Sequence, residues 1–215
     1  MMQSKKVDSE LHLFMRASTK LLHQKLDHHP LLASLLCPQL SLAQYLSVLR
    51  AMYGFIKPLE LDIDVFLARK PNLFDYSSRR KVPLIEADLA YLQKWADFNL
   101  NDTLFWPRRK IDSLAELVGI LYCLEGSMLG ARVITRQLRL NLPKEALPAI
   151  TYFSGYGDET AAKWANFWAF AERSCETQAQ HQEAAHYAAR LFNEMNSHFN
   201  ACFAENTAAL ALPVL

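Results

Sequence analysis

Apolar residues recur every three or four positions along almost the whole chain, and no stretch alternates apolar with polar. That period puts apolar side chains on one face of a helix, not on one side of a strand. Glycine tells the same story from the other direction. It makes up 6 of 215 residues, well under the usual share of about 7%. So few glycines exclude a glycine-rich phosphate loop and argue against a chain full of tight turns. The expectation is an all-α, single-domain, multi-helical bundle of about seven or eight helices, in which each glycine's position is informative.

Helix breakers divide the chain. A first helix runs from Leu11 to Leu26, with Leu11, Phe14, Met15, Leu22 and Leu26 on one broad face, and ends at Asp27-His28-His29-Pro30, since proline disfavours helix in the residue before it. Pro38 marks a second break. Ser41-Leu42-Ala43-Gln44 fits a capping box and opens a helix reaching about Ala68, which Pro58 should kink or split. After a loop over Arg69–Ser78, a helix is expected over Pro83–Phe98, then a loop over Asn99–Lys110. Ser113-Leu114-Ala115-Glu116 is a second capping box, opening a helix expected to run to Leu140. Pro143 and Pro148 punctuate the next connection, Gly155-Tyr156-Gly157 closes a short apolar stretch, and Glu159 to Ala204 is helical with a break near Glu176. Residues 1–10 are expected as a flexible N-terminus, 11–206 as the domain and 207–215 as a tail.

Composition narrows the partners. Lys and Arg number 23 against 22 Asp and Glu, a formal net charge of +1, so no global field recruits nucleic acid or an anionic membrane. The four cysteines, Cys37, Cys123, Cys175 and Cys202, form no Cys-x-x-Cys pair. They read as reduced thiols of a cytoplasmic protein rather than as a zinc site. No apolar run approaches the roughly 20 residues that span a bilayer, and Met1–Glu10 is polar.

Two constellations offer chemistry. Arg16, Thr19, His23 and Asp27 are spaced by three, four and four residues and share one helical stripe. A neutral imidazole ligates iron well, and its second ring nitrogen needs an acceptor that fixes the tautomer, which Asp27 can supply one turn on. The same stripe also reads as a polar surface with an ordinary His–Asp pair. The second constellation is Leu121–Ile134, reading LYCLEGSMLGARVI, with Gly126 and Gly130 one turn apart and Gly119 seven residues earlier. Interior glycines cost about 1 kcal/mol each relative to alanine. They open a groove for a flat ligand, permit a bend, or let another helix pack closely. His28-His29 reads as a solvated helix end. Glu60, Asp62, Asp64 and Glu125 lack the Glu-x-x-His pairs of di-iron bundles. Trp164, Phe167, Trp168 and Phe170 read as core.

Together the two segments resemble the haem oxygenase family. Arg16–His23, reading RASTKLLH, is similar to its proximal-helix motif. Leu121–Ile134 is similar to the distal-helix motif of its bacterial, bacteriophytochrome-associated branch, and Gly155-Tyr156-Gly157 with Trp164 and Phe167 fits that branch. The resemblance implies haem as both substrate and cofactor, held between the two helices. It implies His23 as the iron ligand, Asp27 as its acceptor, and Arg16 with Thr19 at the haem edge. Gly126, Ser127 and Gly130 fall on the catalytic, distal side. O2 and an electron-donating reductase would drive cleavage to biliverdin with release of iron and CO, for iron acquisition or to supply a bacteriophytochrome. Two positions depart from the commoner family pattern: Ser127, where many members carry Asp, and Ala131, where glycine is usual. They motivate a rival, a haem sensor without turnover. A di-iron or thiamine-related enzyme of the same helical superfamily is a further one. Lys163 and Arg132 are the candidates for a second propionate cation.

Overall fold

The computed structural model describes residues 9–211, without the side chains of Ala131 and 206–211. Among the described residues there is no strand, and nine α-helices follow one another: α1 (Glu10–Asp27), α2 (Pro30–Ala33), α3 (Leu42–Ala68), α4 (Val82–Leu92), α5 (Leu114–Ser127), α6 (Ala131–Asn141), α7 (Thr151–Ser154), α8 (Thr160–Ser174) and α9 (Gln178–Ala211). The all-α fold expected from the periodicity is the one observed. No single described helix is long and apolar enough to cross a membrane.

The helix starts follow their capping chemistry. Ser9 caps α1 by accepting from the His12 N–H. At α3 the box is complete: the Ser41 Oγ accepts from the Gln44 N–H and the Gln44 side chain accepts from the Ser41 N–H. At α5 it is only half formed. Ser113 accepts from the Glu116 N–H, but the Glu116 carboxylate takes the Asp112 N–H instead. His29 caps α2 through Nδ1 and is buried, so the expected solvated His28-His29 end is corrected for one of its two members.

Pro58 does not split α3 into two elements; the helix runs through it. A proline cannot donate to the carbonyl four residues back, here that of Gly54. The Trp106 N–H donates to the Gly54 carbonyl instead, at 3.0 Å. Glycine at 54 is what lets the 103–106 segment come so near: a Cβ there would lie 2.0 Å from the Leu104 carbonyl oxygen.

The core centres on α5, whose Leu117, Val118, Ile120 and Leu121 are fully buried. One side of α5 packs on α9, which in turn packs on α1. Gly119 belongs to this contact. A Cβ would meet the Ala184 carbonyl oxygen at 2.5 Å and the Ala188 nitrogen at 2.8 Å. It therefore serves helix–helix approach and is not part of a ligand groove with Gly126 and Gly130, which corrects the three-glycine face.

Other boundaries differ too. The helix expected to end at Phe98 stops at Leu92, and the last helix continues through Ala211, into the expected tail. The helix expected over Ser113–Leu140 is broken. Its last turn tightens, with Met128 N–H donating to Glu125 and Leu129 N–H to Gly126. The chain resumes as α6 with an axis 41° away.

Candidate functional site

A cavity of about 800 Å³ opens between α1 on one side and the α5–α6 break on the other. Its floor comes from Met52 and Ile56 of α3, Tyr152 and Phe153 of α7, and Phe192 and Met195 of α9. The position of α7 is fixed by Asp88, whose carboxylate accepts the Thr151 and Tyr152 N–H groups at 2.9 Å each. Such a volume suits a small organic ligand, and the walls are mostly apolar with a few polar groups at set places.

Arg16, His23 and Asp27 line the α1 wall, as their spacing requires. His23 Nδ1 lies 2.8 Å from Asp27 Oδ2. With a carboxylate there, Nδ1 carries the proton and Nε2 is the basic nitrogen. Nε2 has no hydrogen-bond partner among the described residues, and the ring edge rests on Phe192, centroids 5.6 Å apart. Thr19 lies elsewhere than expected. It is buried beneath the wall rather than lining the cavity, its hydroxyl donating to the Met15 carbonyl at 2.8 Å. Its oxygen can then accept only, so the Tyr122 phenol 3.3 Å away donates to it. That bond ties α1 to α5 at the cavity wall, and burial raises the Tyr122 pKa.

Gly126, Ser127 and Gly130 line the opposite wall. There is space in front of both glycines: a Cβ at 126 would touch only the Trp164 ring at 3.8 Å, and one at 130 only the Ser127 carbonyl oxygen at 3.8 Å. The Ser127 hydroxyl donates back into its own helix, to the Leu124 carbonyl at 2.8 Å. The side chain of Ala131 lies outside the described residues.

Several lining residues carried no sequence signal of their own. His12 lines the same wall as Arg16 and stacks on Trp168, centroids 4.3 Å apart. Trp164 lines the cavity, while Phe167, Trp168 and Phe170 are core as expected. Neither suggested second cation is present at the cavity. Lys163 bonds the Ser78 carbonyl at 3.0 Å, and Arg132 is an exposed partner of Asp158. A smaller, more open hollow of about 370 Å³ at Asp62, Arg69, Arg108 and Arg109 has neither a histidine nor a glycine wall.

The carboxylates considered for a di-iron site are otherwise engaged. Glu60 accepts from Tyr76 and the Lys81 N–H, Asp62 from Arg108, Asp64 from Arg80, and Glu125 from Arg79 and Lys81. Among the described residues no three His, Cys, Asp or Glu side chains are grouped to hold a metal ion. Cys123, the cysteine lining the cavity, has its thiol donating to the Ala188 carbonyl, and burial raises its pKa far from the thiolate range of a nucleophile.

The donor set fits haem: one imidazole with a carboxylate on its far nitrogen, an apolar slot, a facing wall opened by two glycines, and an arginine for an acidic edge. Comparisons with known proteins agree with that chemistry. A family model described as heme oxygenase matches residues 9–201. A curated heme oxygenase of Xanthomonas campestris pv. campestris (strain 8004) is 31% identical over 160 residues, 74% of this chain and 88% of the relative. The solved heme oxygenase of Leptospira interrogans superposes with a TM-score of 0.70 at 15% identity, over 90% of this chain and all of that one, a likeness of fold.

Proposed function

The chain belongs to the haem oxygenase family, and from that premise we propose that it cleaves haem to biliverdin, with release of iron and CO. The observation that carries this reading is the pairing of the two cavity walls: His23 held by Asp27 on one, Gly126 and Gly130 with open space on the other.

Haem would be both the molecule consumed and the source of the iron at which O2 is reduced. Each residue's part follows from its chemistry. Asp27 accepts from Nδ1–H, which fixes the His23 tautomer and makes Nε2 a better donor to iron. Arg16, about two turns and roughly 10 Å from His23 along α1, would pair with a propionate at the ligand's edge. The two glycines let main chain lie against the ligand's opposite face, and the apolar floor excludes water. The reading includes a cytoplasmic setting, a reductase as electron donor, and iron recovery or supply of a bacteriophytochrome as the use of the product.

One observation favours the sensor as a second reading. The Ser127 O–H is spent on the Leu124 carbonyl, so this side chain offers the cavity an acceptor and no proton. A water chain would have to deliver protons instead. The experiment is a titration with ferric haem followed in the Soret region, then addition of reductant and O2. The proposal expects a Soret shift that is lost in His23→Ala, and then the visible band of biliverdin. A shift unchanged by His23→Ala would overturn the ligand assignment. A normal shift with no biliverdin from a competent electron donor would replace the enzyme with the sensor.

A further inference from the structure

Behind the glycine wall, outside the cavity, four charged residues are buried together: Glu60, Arg79, Lys81 and Glu125. Their formal charges cancel. The side chains of Arg79, Lys81 and Glu125 are 5%, 1% and 1% exposed, and the haem reading gives them no role. Such a cluster is tolerable only if nearly every donor and acceptor is matched. The Lys81 Nζ meets Glu125 Oε1 at 2.7 Å, the Tyr156 hydroxyl at 2.7 Å and the Arg79 carbonyl at 2.9 Å, which uses all three of its protons. The Tyr156 phenol in turn lies 2.9 Å from Glu125 Oε1.

The Arg79 guanidinium reaches two elements at once. Nη1 donates to Glu125 Oε2 of α5 at 2.5 Å and to the Lys163 carbonyl of α8 at 3.1 Å. Those two residues immediately precede Gly126 and Trp164, which face each other in the cavity wall with room for one methyl group between them. We propose that Arg79 is a positioning residue that sets the spacing between Gly126 and Trp164. It thereby sets how closely the α5 backbone approaches the ligand face. Lys81 has no proton left with which to take over this bond. A lysine at 79 would keep the charge balance but lose the planar guanidinium that lies on the Phe74 ring, 4.8 Å from its centroid, and so is held in place. The Ser77–Arg79 turn carrying the guanidinium is itself held to α8 by Lys163, whose Nζ donates to the Ser78 carbonyl and hydroxyl.

The consequence for ligand approach rests on the haem reading, whereas the spacing itself does not. The test therefore begins without haem. Amide hydrogen exchange is measured on Arg79→Lys and on Tyr45→Phe, a control that loses a buried hydrogen bond to the Ala149 carbonyl. The expected result is exchange at least about 10-fold faster over residues 126–130 in Arg79→Lys, with α1 unchanged, since local opening follows local contacts. The control should show no such local change. Haem is then added, and the infrared stretch of carbon monoxide on the reduced complex is recorded. It should shift or split in Arg79→Lys and keep the wild-type band in the control. Equal exchange over 126–130 in the two variants, or a carbon monoxide band unchanged by Arg79→Lys, would overturn the proposal. If the wild type fails to take up haem, the functional reading falls while the exchange result still decides the spacing. Should Arg79→Lys not fold, Arg79→Gln is judged by the same criteria. It withdraws the reach to Glu125 and the Lys163 carbonyl while Lys81 still neutralises Glu125.

Discussion

The two walls of the cavity are built on opposite plans. The α1 wall is a regular helix whose side chains do the work: Arg16, His23 and Asp27 face the cavity because their spacing matches the helical turn. The α5–α6 wall is a broken helix that offers main chain, and where that main chain sits is decided by groups behind it, chiefly the Glu125 cluster. Damage to the first wall should therefore be chemical and local. Damage to the second should pass through the fold.

The largest effect expected is on stability and comes from the second wall. Glu125→Ala leaves Arg79 and Lys81 buried without their counter-charge, a change that costs about 3–5 kcal/mol. Chemical denaturation should show a loss of that size, and a loss under 1 kcal/mol would mean that water reaches the cluster. On the first wall, His23→Ala should weaken ferric haem binding by more than about 100-fold, and Asp27→Asn, acting through the imidazole, by about 10-fold. Neither should move the melting temperature much, because both side chains are more than half exposed, at 55% and 57%. If the two changes weakened haem equally, Asp27 would be binding it directly.

The glycines sharpen the contrast within one helix. Gly119→Ala forces a Cβ to 2.5 Å from the Ala184 carbonyl, and such overpacking costs about 1–3 kcal/mol. Gly126→Ala meets only the edge of Trp164 at 3.8 Å, so it should leave stability within about 1 kcal/mol and weaken haem binding. Gly130→Leu should likewise fold and lose haem. The reverse pattern would move the ligand to the α9 side of α5.

The smallest effect concerns pH. Burial lowers the pKa of His198, whose Nε2–H donates to the Ala51 carbonyl while Nδ1 has no partner. Burial lowers that of His29 as well. A depressed histidine pKa means that the unfolded chain takes up protons first. The stability is thus fully present above about pH 6.5 and is lost as pH falls through the folded values. Burial raises the pKa of Glu60, which works the other way: its contribution is complete below about pH 4.5 and lost as pH rises through the folded value. Thermal melts between pH 7.5 and 5.5 should show a falling melting temperature, with a flatter slope in His198→Asn. An unchanged slope in that variant would assign the pH dependence to other groups.

What was legible in the sequence was local. The helical period and scarcity of glycine imposed the all-α fold, and Ser41 with Gln44 marked the start of α3 because a capping box is complete within four residues. The arrangement of Arg16, His23 and Asp27 needed only one regular helix to be realised. Tertiary structure decided everything that depends on what lies behind or across a helix. It kept α3 intact through Pro58, because Trp106 supplies the donor that proline lacks. It assigned Gly119 to helix packing and Gly126 to the cavity, though both are glycines of one helix, because α9 lies against the first and the indole edge of Trp164 stands off from the second. It drew Thr19 under the wall to hold Tyr122. It also gathered Glu60, Arg79, Lys81 and Glu125 from three separate stretches of chain into one neutral cluster. Charges matched in three dimensions leave no periodic trace in one, so the α1 wall could be read from its residues and the support of the α5 wall could not.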